Sequence, residues 1–240
     1  MNFFKYFIFG VGITHAFFTP TIRTSSGQKL KIVGQGPPYL FSPGLFGIMP
    51  STFYSEFISY LKKNITIVSI DDLNPIYENT IDEVCNALNV DKIGYIGHSS
   101  FFPEVLDNPN IEKAVLMDPI NLPWVSFDGF SNSIINLDYP VYIIKSGKLY
   151  SGSKTLPEWQ DPDFKNDVET LVYDDVGHPD ILDNTWANIA KTIGLWEMAE
   201  GKKMNYSNWK FNVKTEIPKI RKTYRKTIAQ KISEFIFLYL

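Results

Sequence analysis

Short apolar runs alternate with amphipathic stretches along most of this chain. Ile22 to Ser25 and Leu30 to Val33 read as the two arms of a hairpin across Ser26-Gly27. Tyr39-Leu40-Phe41 reads as a third strand, running into Ser42-Pro43-Gly44-Leu45-Phe46-Gly47. Phe53, Phe57, Ile58 and Leu61 then share one helical face, with Ser51 or Thr52 as the expected N-cap. Ile65 to Ile70 predicts a buried strand, Ile81 to Leu88 a helix, and Ile93 to Ile96 another strand. A short helix is expected over 100–106, with Pro103 tolerated in its first turn. Strands follow at Ala114 to Met117, Val141 to Ile144 and Thr170 to Tyr173. The last helix of this series, Ile181 to Ile193, sets Trp186, Ile189, Ala190 and Ile193 on one face. Strand alternating with helix implies a mostly parallel sheet covered on both faces.

The two ends break this rhythm. The first 19 residues hold one lysine, Lys5, then the run Phe7 to Ile13, then Thr14 and Ala16. That order fits a secretory signal cut near Ala16, or an apolar element of the domain itself, and it is short for a membrane span. The sequons Asn64-Ile65-Thr66 and Asn205-Tyr206-Ser207 suit a secreted chain that is free or membrane-associated. Between Lys210 and Lys231, eight basic residues face one acid, Glu216, in a chain of net charge −3. Ile217, Ile220, Tyr224, Ile228 and Ile232 recur there at helical spacing. Residues 201–240 thus read as a basic amphipathic extension, fit for an anionic membrane surface or for packing on the parent domain.

The 240 residues, 44% of them hydrophobic, support one sizeable core, placed at 20–200. The acidic balance argues against nucleic acid as a partner. A single cysteine, Cys85, excludes an internal disulfide and a cysteine-built zinc site, and its helical setting makes it a small buried hydrophobe.

Candidate chemistry concentrates at Ile93-Gly94-Tyr95-Ile96-Gly97-His98-Ser99-Ser100-Phe101. An apolar strand ending in Gly-His-Ser reads as a sharp strand-to-helix turn with a serine hydroxyl at its crest. Gly97 is expected to leave room there against the neighbouring strand. In an open parallel sheet, active residues gather beyond the carboxyl ends of the strands. Ser99, Asp118 and His178 all fall just past predicted strand ends, in the chain order serine, acid, histidine. Serine needs an imidazole to take its proton and a carboxylate to orient that imidazole. Of the three histidines, His15 lies in the N-terminal segment and His98 cannot reach back to the serine beside it, which leaves His178 as base. Asp118 is preferred as the acid over Asp161 and Asp163, which follow a later strand. The Leu45 and Ser100 amides are placed to serve as oxyanion donors. No metal or organic cofactor is called for by this chemistry.

Three segments together resemble the α/β-hydrolase superfamily, most nearly its chlorophyllase-like and lipase-like serine esterases. They are Gly97-His98-Ser99, Val115-Leu116-Met117-Asp118-Pro119, and Gly177-His178-Pro179-Asp180-Ile181-Leu182-Asp183. The likeness spans about 27–195. It implies the α/β-hydrolase fold, with a mostly parallel sheet between helices, and a carboxylic ester hydrolase using Ser99, Asp118 and His178. A lipid-like or long-chain alcohol ester is the implied substrate. Phe101 stands where the family carries a glycine, Pro43 replaces a usual histidine, and the short span from Ser99 to Asp118 shrinks the helix behind the elbow. Phe101 motivates the alternative of a binding or scaffold protein on the same fold, and the basic tail that of a membrane-surface protein. The segments 122–138 and 150–164 carry Trp124, Phe127, Phe130, Trp159 and Phe164 and suit a lid or the wall of an apolar pocket, with packing as core aromatics the alternative.

Overall fold

A computed structural model describes residues 22–44, 47–70, 74–99, 103–119, 137–145, 167–170, 178–192 and 217–238. The N-terminal segment, Leu45, Ser100, Phe101, Asp161, Asp163, the second sequon and nearly all of the two lid-like segments, with Trp124, Phe127, Phe130, Trp159 and Phe164, lie outside the described residues.

Among the described residues eight strands form one sheet: β1 (Ile22–Arg23), β2 (Lys29–Gly34), β3 (Pro38–Ser42), β4 (Thr66–Ile70), β5 (Ile93–His98), β6 (Ile111–Met117), β7 (Val141–Lys145) and β8 (Asp167–Thr170). Their spatial order is β1-β2-β4-β3-β5-β6-β7-β8. The β1–β2 and β2–β4 pairs are antiparallel, and every other pair is parallel. Helix α1 (Ser55–Leu61) follows a 3-10 turn at Ser51–Tyr54, and α2 (Glu78–Leu88) links β4 to β5. Helix α3 (Asn184–Thr192) follows a 3-10 turn at His178–Ile181, and α4 (Ile217–Leu238) closes the described chain.

The inner strands are apolar on both faces because both faces are covered, and alternate side chains feed two separate cores. Tyr39, Phe41, Ile67, Ile96, Val115, Met117, Tyr142 and Ile144 meet α1, α3 and α4 on one side. Leu40, Val68, Tyr95, Ala114, Leu116, Val141 and Ile143 meet α2 and Val105 and Leu106 on the other. Cys85 lies in this second core, where burial pushes its thiol up to about 11, so it is a packed side chain and not a ready nucleophile.

Gly94 shows how tightly the first core is filled. It pairs with Tyr39 across β3 and β5, and the tyrosine ring lies over it. A Cβ on Gly94 would fall 2.0 Å from that ring. Gly94→Ala is therefore expected to destabilise the fold by about 1–3 kcal/mol, read from the midpoint of urea unfolding. An unchanged midpoint would mean that Tyr39 has room to turn away.

Several boundaries differ from the sequence reading. Neither Ser51 nor Thr52 caps α1; that end is served by the Asp183 carboxylate, which accepts the Glu56 N–H at 2.9 Å. The segment after the elbow that is described is a 3-10 turn, Pro103–Asp107, consistent with a cut-short helix. The strand expected over Thr170 to Tyr173 is described only at Thr170, where it closes β8 (Asp167–Thr170), and residues 171–173 lie outside the described residues. Helix α3 begins at Asn184 because Ile181 belongs to the preceding buried turn. Its Ile189, expected on the inner face, is exposed, and the smaller Ala187 takes the buried place.

Helix α4 lays its apolar stripe on the domain. Tyr224, Ile228, Ala229, Ile232, Phe235 and Ile236 are buried in the first core, and the Phe235 ring stacks on Tyr142 at 5.1 Å. Two of its basic residues, Arg221 and Arg225, are also buried. The charge run therefore splits into outward lysines (Lys219, Lys222, Lys226) and inward arginines. The Asn64 amide of the first sequon donates to Ser233 of this helix at 3.0 Å. Among the described residues no helix is long and apolar enough to cross a membrane.

Candidate active site

Strands β5 and β6 end side by side, and each leaves the sheet through a strained residue. Ser99 has φ 64° and Asp118 φ 45°, the left-handed region that non-glycine residues avoid unless their surroundings hold them. The ladder does the holding. The Ser99 N–H donates to the Met117 carbonyl at 3.0 Å, and the Asp118 N–H donates to that of Ile144 at 2.6 Å. Gly97 is needed for a different reason from the one expected. A Cβ there would meet the ring of Tyr95, two residues back on the same strand, at 2.9 Å.

His178 opens the 3-10 turn ahead of α3 and brings its ring to both residues. Its Nδ1 lies 2.5 Å from Asp118 Oδ2, and its Nε2 lies 2.9 Å from Ser99 Oγ. All three side chains are buried. The structure thus unites three residues set 60 and 79 positions apart. With Asp118 facing Nδ1, that nitrogen carries a proton and Nε2 is free to accept the serine's.

The third strand also arrives here. A Cβ on Gly44 would lie 3.3 Å from Ser99 Cβ and 3.3 Å from Tyr54 Oη, so the backbone leading into Leu45 abuts Ser99. The two amides expected as oxyanion donors, those of Leu45 and Ser100, lie outside the described residues. Among the described residues no cluster of side chains could hold a metal ion.

Several supporting residues were missed from sequence. Asp180 and Asp183, quoted above only as part of a motif, serve the fold: Asp180 accepts from Arg221 Nε at 2.6 Å, and Asp183 caps α1. Arg225 donates to the carbonyls of Asp180 and Leu182 and to Glu56 Oε2. The turn that carries His178 is thereby clamped to α4. Tyr54 and His98 lie beneath the elbow. The His98 signal was readable in principle: it shares the strand parity of Ile96, so in a strand buried on both faces its ring lies inside the protein.

An eight-stranded, mostly parallel sheet among the described residues, with helices on both faces and Ser99 held in a strained turn directly after β5, is the α/β-hydrolase fold. Solved structures agree. An esterase from Exiguobacterium antarcticum matches with a TM-score of 0.52 at 12% identity, over 74% of this chain and 98% of that one. A variant of a meta-cleavage product hydrolase matches with a TM-score of 0.51 at 12% identity, over 75% of this chain and 96% of that one. No protein-family model and no curated protein matches the sequence.

Proposed function

We propose that this chain is a serine hydrolase that cleaves a carboxylic ester with an apolar acyl or alcohol part. The observation that carries the reading is the continuous contact from Ser99 Oγ through the His178 ring to Asp118. The esterase among the similar folds adds support of a general kind.

The proposed steps use this contact in turn. As Ser99 Oγ attacks the ester carbon, its proton passes to His178 Nε2, and Asp118 stabilises the imidazolium that results. The carbonyl oxygen becomes an oxyanion, for which the Leu45 and Ser100 amides are the proposed donors. The C–O bond to the alcohol breaks as His178 returns its proton to the leaving oxygen, and Ser99 is left acylated. Water then attacks the acyl group, gives its proton to Nε2, and the acid departs as Ser99 recovers its hydrogen.

A fluorophosphonate probe, which phosphonylates activated serines, tests the reading. Wild-type protein is expected to label, and Ser99→Ala to lose the label. Hydrolysis of p-nitrophenyl esters from acetate to decanoate is expected to favour the longer acyl chains. Folded wild-type protein that takes no label would reject the hydrolase and favour a scaffold on the same fold.

A further inference from the structure

Beneath the elbow lies a buried polar chain that the proposed reaction does not use. His98 is inward-facing, and its ring stacks against that of His178 with centroids 4.7 Å apart and an interplanar angle of 29°. Its Nε2 lies 3.2 Å from the His178 carbonyl oxygen, and its Nδ1 lies 2.8 Å from Tyr54 Oη. Tyr54 Oη in turn accepts the Gly44 N–H at 2.9 Å.

Donor and acceptor roles are fixed by these partners. A carbonyl only accepts, so His98 Nε2 carries the hydrogen. Burial, and then the neighbouring His178, hold the His98 pKa well below the usual range, so the ring is neutral and Nδ1 is bare. Tyr54 must then donate its O–H to Nδ1, and burial, the larger influence, keeps that phenol protonated. The result is a one-way relay: Gly44 N–H to Tyr54, Tyr54 O–H to His98, His98 N–H to the His178 carbonyl.

We propose that Tyr54 and His98 are positioning residues that hold the His178 backbone and the Gly44 segment in one register beneath Ser99. This rests on the hydrolase reading, because it concerns the two segments that reading gives to the base and to an oxyanion donor. A histidine that merely filled the core would be replaceable by an apolar side chain of similar size. Burying two polar rings is unfavourable unless each is satisfied. Here the satisfied chain ends at both halves of the reacting site.

The test uses Tyr54→Phe, which keeps the ring, and His98→Phe, which keeps an aromatic ring at the stack but loses both hydrogen bonds. His98→Gln keeps one donor and one acceptor. The first readout is the rate constant for labelling of Ser99 by the fluorophosphonate. The second is the strongly deshielded proton NMR signal of the His178–Asp118 hydrogen bond, which needs no turnover. We expect Tyr54→Phe and His98→Phe to slow labelling by about ten- to a hundredfold. Their double variant should be no slower than the worse single one, and His98→Gln should regain part of the loss. The deshielded proton should broaden or vanish in both Phe variants and persist in His98→Gln. Folded Phe variants that label within about twofold of wild type and keep the proton signal would overturn the relay. Failure of wild type to label would reject the hydrolase alone, and the proton signal would then decide the relay. If His98→Phe does not fold, Tyr54→Phe decides both readouts.

Discussion

Ser99→Ala, His178→Ala and the variant carrying both are expected to reach the same residual rate of ester hydrolysis, about 10⁶-fold below wild type. The equality matters more than the size. Serine without its base is a weak nucleophile, and the base without its serine has no attacking atom to serve, so losing either empties the same step. What remains comes from backbone donors and substrate binding, which none of these changes removes. Asp118→Asn is expected to be milder, at about 10⁴-fold. Asparagine tolerates the left-handed backbone that Asp118 adopts, so the turn should survive while the amide favours the wrong imidazole tautomer. Initial rates of p-nitrophenol release, corrected for buffer, give the comparison. Effects of Ser99→Ala and His178→Ala that multiply in the double variant would show that the two do not act as one unit.

What could be read ahead of the structure divides along a physical line. The interior strands were legible because a strand buried on both faces needs a continuous apolar run, and β5, β6 and β7 each supply one. Of the strand at the end of the described sheet, the start at Asp167 was not legible, because Asp167-Val168-Glu169-Thr170 carries charges, as edge strands often do. The three residues at the centre of the site were legible for a related reason. Ser99 and Asp118 each directly follow the end of a strand, and the chain order serine, acid, histidine is one the fold makes meaningful. The residues that hold them were not. Asp183 caps a helix 127 positions earlier in the chain, and no local pattern marks such a cap. Arg221 and Arg225 read only as members of a basic amphipathic run, because a one-dimensional charge run does not reveal which members meet carboxylates and carbonyls inside. Ile189 was grouped with Trp186 and Ala190 by helical spacing, whereas in the fold Ile189 is exposed and Ala187 is the residue that is fully buried.

Arg221 carries the second large prediction. It is 1% exposed and its partner Asp180 is fully buried, with Nε donating to the carboxylate at 2.6 Å. A pair of this kind need not stabilise the fold much relative to two apolar side chains, since removing both charges from water offsets most of their attraction. Breaking it from one side is another matter, because a carboxylate is then left in the interior without its guanidinium. Arg221→Met is accordingly expected to destabilise the protein by about 3–5 kcal/mol, read from urea unfolding, and added salt should change that loss little because the pair is shielded from ions. Arg221→Met combined with Asp180→Leu should recover at least half of it, since no buried charge is stranded. Function should follow stability only in part. Asp180 stands two residues beyond His178 in the same turn, so the single variant should lose Ser99 labelling at temperatures well below its melting point, as the turn loosens before the sheet does. If Arg221→Met unfolds within about 1 kcal/mol of wild type, the pair is not what fastens α4 to the turn, and the carbonyl contacts of Arg225 must hold it instead.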